Sequence, residues 1–279
     1  MWTINGTRNL RQIPEFVKNS SHNISLQFFE NSNEGKFVEV AKMFGERVTN
    51  INRVYSESKF SYDVNSNLNN VRYISLCTKG RQRYKVNVPW LSTIFMNSYS
   101  VLQTLDLSNV KLDFMYDIDN GMVLQNMKFI KITSGVIPKQ FFLTSMPNLC
   151  ELTLKLCDIP FDLKELGLGF SMVKKLLIYE CTGNVVALVL EILKRSSNKL
   201  NSVTLHSISQ PMPEEFFKLR FLSMKELILQ GLQLPEKISN VDTSFSSIQD
   251  FGVYMCQGIA TLNTLLDCCP NVDIVQNHL

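Results

Sequence analysis

The 279-residue sequence predicts an α/β solenoid built on one parallel β-sheet. A short apolar-x-x-apolar-x-apolar segment recurs at nearly constant spacing, it alternates as a strand does, and several segments between its copies have the apolar spacing of helices. A unit of this size cannot bury its apolar face alone, so neighbouring units must stack into a continuous core. We therefore expect residues 1–279 to form a single solenoid of about 10–11 irregular repeats.

The repeated segment is clearest in the second half of the chain. Its copies start 24, 27, 24, 24 and 24 residues apart, at Leu149, Val173, Leu200, Met224, Ile248 and Val272. Weaker copies continue the series upstream at Met127, Leu102, Val71, Val48 and Ser21. The alternation predicts strands near residues 23–28, 50–54, 72–77, 103–108, 128–133, 150–156, 174–180, 201–207, 225–230, 249–255 and 273–276.

Three of the connecting segments predict helices. The segment "GKFVEVAKMFGERV" places Phe37, Val40 and Phe44 on one face, and "NVVALVLEILKRSSN" and "IATLNTLL" show the same periodicity. Pro213, followed by two glutamates, is a favourable helix start. Other connections, such as "FDLKELGLGFSM", are too short for more than one turn.

Composition and charge are those of a folded, soluble protein. The chain is 45% hydrophobic and 19% charged, and its net charge of +3 is spread along the sequence, which weighs against a nucleic-acid partner. We see no secretory signal, and the longest apolar run, 185–193, is half the length of a membrane helix. Seven cysteines form no CxxC pair, which favours a reducing compartment. We expect a cytoplasmic or nuclear protein without a membrane partner.

The repeat spacing resembles that of leucine-rich-repeat proteins. The resemblance implies a right-handed solenoid curved like a horseshoe, with parallel strands on the concave face and helices and turns on the convex face. The family's asparagine or cysteine after the strand is matched by Asn109, and Cys157 and Cys181 lie near that position. The other units lack it, so the resemblance depends on spacing.

Two segments that lead into strands make the resemblance more specific. The segments "FLTSMPNLCELTL" and "LLDCCPNVDIV" each place Pro-Asn directly before a strand, and they resemble the irregular repeats of F-box leucine-rich-repeat proteins. That family implies a substrate-recognition subunit of a cullin-based ubiquitin ligase, acting in ubiquitin-dependent protein degradation with a Skp-type adaptor. No F-box is recognisable, because repeat-like sequence begins by about Leu10. Either that module lies outside this chain, or the protein is a free-standing scaffold that binds one protein partner.

Candidate catalytic and metal-binding groups are few. Three histidines lie far apart in the repeat order without a second ligand at metal spacing: His22, His206 and His278. The segment "YDIDNG", 116–121, lacks the closing glutamate of a calcium loop, and Gly167 and Gly169 precede no phosphate-binding helix. No serine or cysteine lies in a nucleophile-elbow context. We expect no enzyme, cofactor or metal; a repeat array that regulates a catalytic domain is a further interpretation, although the repeats fill the chain.

A partner-binding surface is expected on the concave face. Side chains alternate across a strand, so the third, fifth and seventh positions of each unit point away from the core. This set contains large apolar and aromatic groups without a core to fill, next to basic residues, and exposed groups of this kind are typical of binding hot spots. The predicted site residues are Phe129, Lys131, Lys155, Lys175, Leu177, Tyr179, His206, Ile228 and Tyr254.

Three lysines come from consecutive repeats on this face. If Lys131, Lys155 and Lys175 align across neighbouring strands, they form a basic stripe suited to an acidic or phosphorylated partner. The alternative is a set of separately solvated lysines, with Glu151 as a nearby counter-charge.

Overall fold

The computed structural model describes residues 1–5, 13–28, 34–55, 68–78, 88–113, 122–161, 170–238, 245, 248–268 and 272–275. The chain divides into two compact units, Met1–Met146 and Pro147–Leu279. Both units combine helices with parallel strands, so the predicted α/β class and parallel sheet are confirmed. A single solenoid over 1–279 stays a prediction.

In the first unit each strand pairs in parallel with the next one along the chain. The strands are β1 (Trp2–Asn5), β2 (Ile24–Phe28), β3 (Val48–Tyr55), β4 (Tyr73–Thr78), β5 (Thr104–Ser108) and β6 (Phe129–Thr133). The helical segments are α1 (Glu15–Lys18), α2 (Glu34–Phe44), the 3₁₀ turn Gly45–Arg47, α3 (Pro89–Ser98) and α4 (Lys139–Leu143).

The second unit repeats this arrangement with six sheet strands in chain order. These are β7 (Glu151–Lys155), β9 (Lys175–Tyr179), β11 (Ser202–His206), β12 (Glu226–Gln230), β13 (Asp250–Tyr254) and β14 (Val272–Val275). A separate ladder joins β8 (Asp158–Ile159) to β10 (Thr182–Gly183). The helical segments are α5 (Val185–Ser196), the 3₁₀ helix Glu214–Lys218 and α6 (Ile259–Cys268).

Strands begin within two residues of each predicted start. The three predicted helices correspond to α2, α5 and α6, and the segment after Pro213 forms a 3₁₀ helix. Six elements have no counterpart in the sequence-based prediction: β1, α1, α3, α4, β8 and β10. No helix in the described ranges is long and apolar enough to span a membrane.

The core of the second unit lies on one side of its strands. Alternate strand residues such as Leu152 and Leu154 are fully buried, while their neighbours in sequence keep access to solvent. Apolar residues along one face of α5, including Val189 and Ile192, are buried as well. The inward side chains of the strands and the apolar face of α5 therefore form one core.

The core of the first unit contains a charged residue. Arg53 on β3 is only 3% exposed, and its guanidinium lies 4.9 Å from the centre of the Phe37 ring and 5.9 Å from that of Phe28. A guanidinium over the faces of aromatic rings is attracted by their quadrupoles, which helps an inward position accept a cation.

The strand ends share a left-handed residue. Directly after the strand, φ lies between 47° and 60° at Asn109 and Ser134 in the first unit, and at Leu156, Glu180, Ser207, Gly231 and Met255 in the second. We call these the junction residues. The Leu156 N–H donates to the carbonyl of Tyr179 at 2.8 Å, and the Glu180 N–H donates to that of His206 at 2.9 Å. The neighbouring strand thus holds the turns at Leu156 and Glu180 in place.

The strand starts are joined in a similar way. The Cys150 carbonyl accepts hydrogen bonds from the N–H groups of Lys174 and Lys175, at 2.7 and 3.1 Å. Just before it, Pro147 and Asn148 form a turn, as their residue types favour. The second copy of this phrase, at 270–271, lies outside the described residues.

Candidate partner-binding face

One side of the second unit's strands keeps solvent access, and we call it the open face. It consists of the first, third and fifth residues of β7, β9, β11, β12 and β13, and all of these residues except Gly252 are partly or largely exposed. Parallel sheets are usually covered on both sides. A partly solvated parallel face carrying large side chains is therefore available to a partner.

The strand register sorts the open face into three rows. The first row is mostly charged: Glu151, Lys175, Ser202, Glu226 and Asp250. The middle row is uncharged: Thr153, Leu177, Thr204, Ile228 and Gly252. The last row combines a cation with rings: Lys155, Tyr179, His206, Gln230 and Tyr254.

Ring contacts order the last row. The Tyr179 and His206 rings are stacked, with centroids 4.2 Å apart and planes 18° from parallel. The Lys155 ammonium lies 5.9 Å from the Tyr179 ring centre, within range of a cation–π contact. These contacts restrict the rotamers of all three side chains, so a partner meets a partly ordered surface.

Polar groups beside the stack set its electrostatics. A hydrogen bond with the Glu180 side chain, and the negative charge of that carboxylate, raise the pKa of the Tyr179 hydroxyl. The Tyr179 hydroxyl thus stays protonated well into the alkaline range. The Nδ1 atom of His206 is buried and has no hydrogen-bond partner among the described residues.

Gly252 shapes the middle row. A Cβ added there would lie 2.4 Å from Cε2 of Tyr254 and 2.6 Å from its hydroxyl, so the Tyr254 ring lies across the glycine. Because Gly252 is directly opposite Ile228, this ring sits beside Ile228 in the middle row. Leu177, Ile228 and the Tyr254 ring thereby extend apolar surface across the face.

Charge is unevenly distributed along the first row. Lys175 lies opposite Glu151, a favourable pairing of unlike charges. Glu226 lies opposite Asp250, and like charges at directly opposite positions destabilise a sheet. The Ser202 hydroxyl donates a hydrogen bond to the Glu226 carboxylate and leaves the negative charge of the pair in place.

The nine predicted site residues fall into two sets. Phe129 and Lys131 lie on β6 in the first unit, where Phe129 is 41% exposed and the Lys131 ammonium forms an ion pair with Asp106 at 3.1 Å. The other seven all lie on the open face of the second unit: Lys155, Lys175, Leu177, Tyr179, His206, Ile228 and Tyr254.

Of the two interpretations of the lysines, the basic stripe does not form between Lys155 and Lys175. The register places Lys155 opposite Tyr179 and Lys175 opposite Glu151, so the two lysines lie at opposite ends of their strands. Lys131 already pairs with Asp106. The sequence spacing correctly placed the lysines in consecutive repeats. To align across neighbouring strands, however, they would also have to occupy the same position within each repeat.

Buried thiols lie beneath the end of the last row. Cys157 and Cys181 are each 1% exposed, and a hydrogen bond with the Cys157 thiol lowers the pKa of Cys181. Within the described ranges, no group of three or more His, Cys, Asp and Glu residues is placed to hold a metal ion. The calcium-like segment 116–121, Gly167, Gly169 and His278 lie outside those ranges.

Sequence reasoning missed the roles of Gly252 and of the Glu226–Asp250 pair. A glycine inside a strand signals a close approach by another group, so Gly252 carried a usable signal. The acidic pairing also followed from aligning the repeats, since both residues occupy the third position of their units.

Comparison with known protein families finds no family model that matches this chain, and comparison with curated proteins finds no matching relative.

Proposed function

We propose that this chain is a protein-binding module of the leucine-rich-repeat type that engages its partner through the open face. The observation that carries the proposal is the pair of partly exposed apolar side chains, Leu177 and Ile228, in the middle row of a parallel sheet. Ordered rings and charges flank them, as in interfaces where a few central residues supply most of the binding energy.

The more specific proposal is that the module recognises substrates for an F-box-type ubiquitin ligase. It is supported by the Pro147–Asn148 turn before β7 and by the irregular 22–27-residue spacing of the repeats from Leu102 onward. In this role the open face holds the substrate, and a Skp-type adaptor and a cullin join through an F-box module. The alternative is a free-standing scaffold that uses the same face without a ligase.

Removing the apolar centre tests the binding role. Leu177→Ser with Ile228→Ser should leave the fold intact, since both side chains are partly exposed, and should weaken partner binding by about 2 kcal/mol. Proximity labelling in cells with wild-type and variant chains identifies the proteins lost. Leu222→Ser is the matched control, because Leu222 is 71% exposed and lies outside the strands. Equal loss with the control, or no loss with the double variant, would contradict the proposal.

A separate experiment tests the link to a ubiquitin ligase. Co-purification of the natural full-length protein should recover a Skp-type adaptor and a cullin, and the double serine variant should retain both while losing the substrate. A face-dependent partner without adaptor or cullin would instead establish the free-standing scaffold.

A further inference from the structure

The charge arrangement of the open face specifies what kind of segment it receives. At the β12–β13 end, the six face positions carry the carboxylates of Glu226 and Asp250 and no cation. At the β7–β9 end they carry Lys155 and Lys175, with Glu151 opposite Lys175. The apolar groups belong to the two ends themselves, with Leu177 on β9 and with Ile228 and Tyr254 on β12 and β13, while β11 between them carries Ser202, Thr204 and His206. The face is thus acidic at one end and basic at the other, with apolar side chains beside the charges at both.

The acidic end of the open face restricts the charge of the partner more strongly than the basic end does. Glu226 and Asp250 occupy directly opposite positions on neighbouring strands, a pairing of like charges that costs stability and that a positive charge nearby would relieve. An arginine or lysine from a partner would provide that charge. The adjacent Tyr254 ring and Ile228 offer an apolar contact for the aliphatic part of such a side chain.

The basic end is weaker because some of its charge is already balanced. Lys175 has Glu151 opposite it, the Lys155 ammonium lies over the Tyr179 ring, and Glu180 follows at the junction. The six face positions of this end still carry a net charge of +1, from two lysines against Glu151, which favours an acidic side chain over a basic one.

The strands of the open face are already paired, and this limits which kind of partner segment can bind there. Its strands already pair with each other through ladders, so a segment lying on the face meets side chains and cannot join the sheet. A helix satisfies its own backbone hydrogen bonds and presents only side chains. From β7 to β13 the face spans four strand intervals, or about 19 Å, which matches a helix of about 13 residues.

We propose that the open face docks an amphipathic helix of a partner protein, with its apolar stripe on Leu177, Ile228 and Tyr254, its basic end on Glu226 and Asp250, and its acidic end on Lys155 and Lys175. This inference rests on the proposed function, since it names the partner segment for the same face.

Three synthetic 14-residue helical peptides test the inference. They share one leucine and phenylalanine stripe and differ at their ends, which are acidic and basic, both basic, or both acidic; a fourth peptide has serine in the stripe. Binding is measured by fluorescence anisotropy at low and high salt. The wild-type chain should bind the mixed-end peptide at least tenfold more tightly than the other two apolar peptides.

Charge reversal should redirect this preference. Lys155→Glu with Lys175→Glu makes both ends acidic and should favour the all-basic peptide; Glu226→Lys with Asp250→Lys makes both ends basic and should favour the all-acidic peptide. Lys194→Glu with Lys199→Glu is the matched control for the first reversal, because both lysines are exposed and lie outside the strands. Thermal unfolding of each variant verifies the fold.

The outcomes separate the two proposals. Apolar peptides that bind without preference for charged ends, or whose preference survives the reversals, overturn this inference and leave the binding face in place. Apolar peptides that bind no better than the serine peptide overturn the inference, and proximity labelling with the Leu177→Ser and Ile228→Ser variant then decides whether the face binds a partner of another form.

Discussion

Gly252 and Tyr254 act as a pair, and neither residue alone defines the middle row. The ring reaches the position beside Ile228 only because the glycine has no side chain to obstruct it. From sequence, Tyr254 was expected to project outward at its own position, since alternation gives the side of the strand and not the direction of a long side chain along it.

Gly252→Ala is expected to displace the Tyr254 ring. The new Cβ would overlap the ring, which is the end of a flexible side chain, so the free energy of unfolding should change by less than about 1 kcal/mol. Affinity for the mixed-end peptide should fall about threefold to tenfold because the ring leaves the apolar surface. Anisotropy titration and urea unfolding measure the two effects.

Tyr254→Phe is the control for this substitution. It keeps the ring and removes only the hydroxyl, so affinity should stay close to that of the wild type. Undiminished affinity in Gly252→Ala would show that the ring position has no part in binding.

Strands were predictable from the sequence because their signal is local. Each copy places apolar residues at alternate positions, and this alone fixes which side is buried. Helix α3 carries a comparable signal, with Leu91, Ile94 and Phe95 at helical spacing after Pro89 at the helix start. The lysine register also followed from aligning the repeats, since Lys131, Lys155 and Lys175 occupy the fifth, seventh and third positions of their units.

The junction residues were not predictable, because neighbouring strands impose their conformation. Glycine and asparagine favour positive φ, yet Leu156 and Met255 adopt it as well. The hydrogen bond from the Leu156 N–H to the Tyr179 carbonyl shows how the adjacent strand determines the turn. No local sequence pattern encodes such an interaction.

Met255→Gly is therefore expected to stabilise the protein. Met255 has φ of 51° and is 48% exposed, so glycine relieves left-handed strain of about 1 kcal/mol while removing few buried contacts. Gly231→Ala, at φ of 60° in the equivalent position, should destabilise by a similar amount. Urea unfolding of both variants measures the effects, and a change of the same sign in both would refute the strain account.

At the scale of the whole molecule, stability should be distributed repeat by repeat. In stacked repeats each repeat contacts mainly its neighbours, so a destabilising substitution affects the adjacent repeats most. The second unit shows this order, because β11 pairs only with β9 and β12 among the described strands.

Leu205→Ala tests this distribution. Leu205 is fully buried on β11, so its truncation should cost about 2–5 kcal/mol. Hydrogen exchange followed by mass spectrometry should show the largest loss of protection in β9, β11 and β12 and a smaller loss in β7 and β13. Equal loss throughout the second unit would show that it unfolds as one cooperative body.

The junction residues have a consequence for how this protein relates to others. Seven of these turns are held in the same backbone shape, yet they are occupied by six kinds of amino acid. At Asn109, Leu156, Glu180, Ser207 and Gly231 the backbone N–H donates to a carbonyl of the next strand, a bond that any residue except proline can make, so mutations there can accumulate while the turn persists. The most regular point of the architecture thus leaves little trace in the amino-acid sequence, and divergent relatives of this chain will share its backbone long after they have ceased to share its residues.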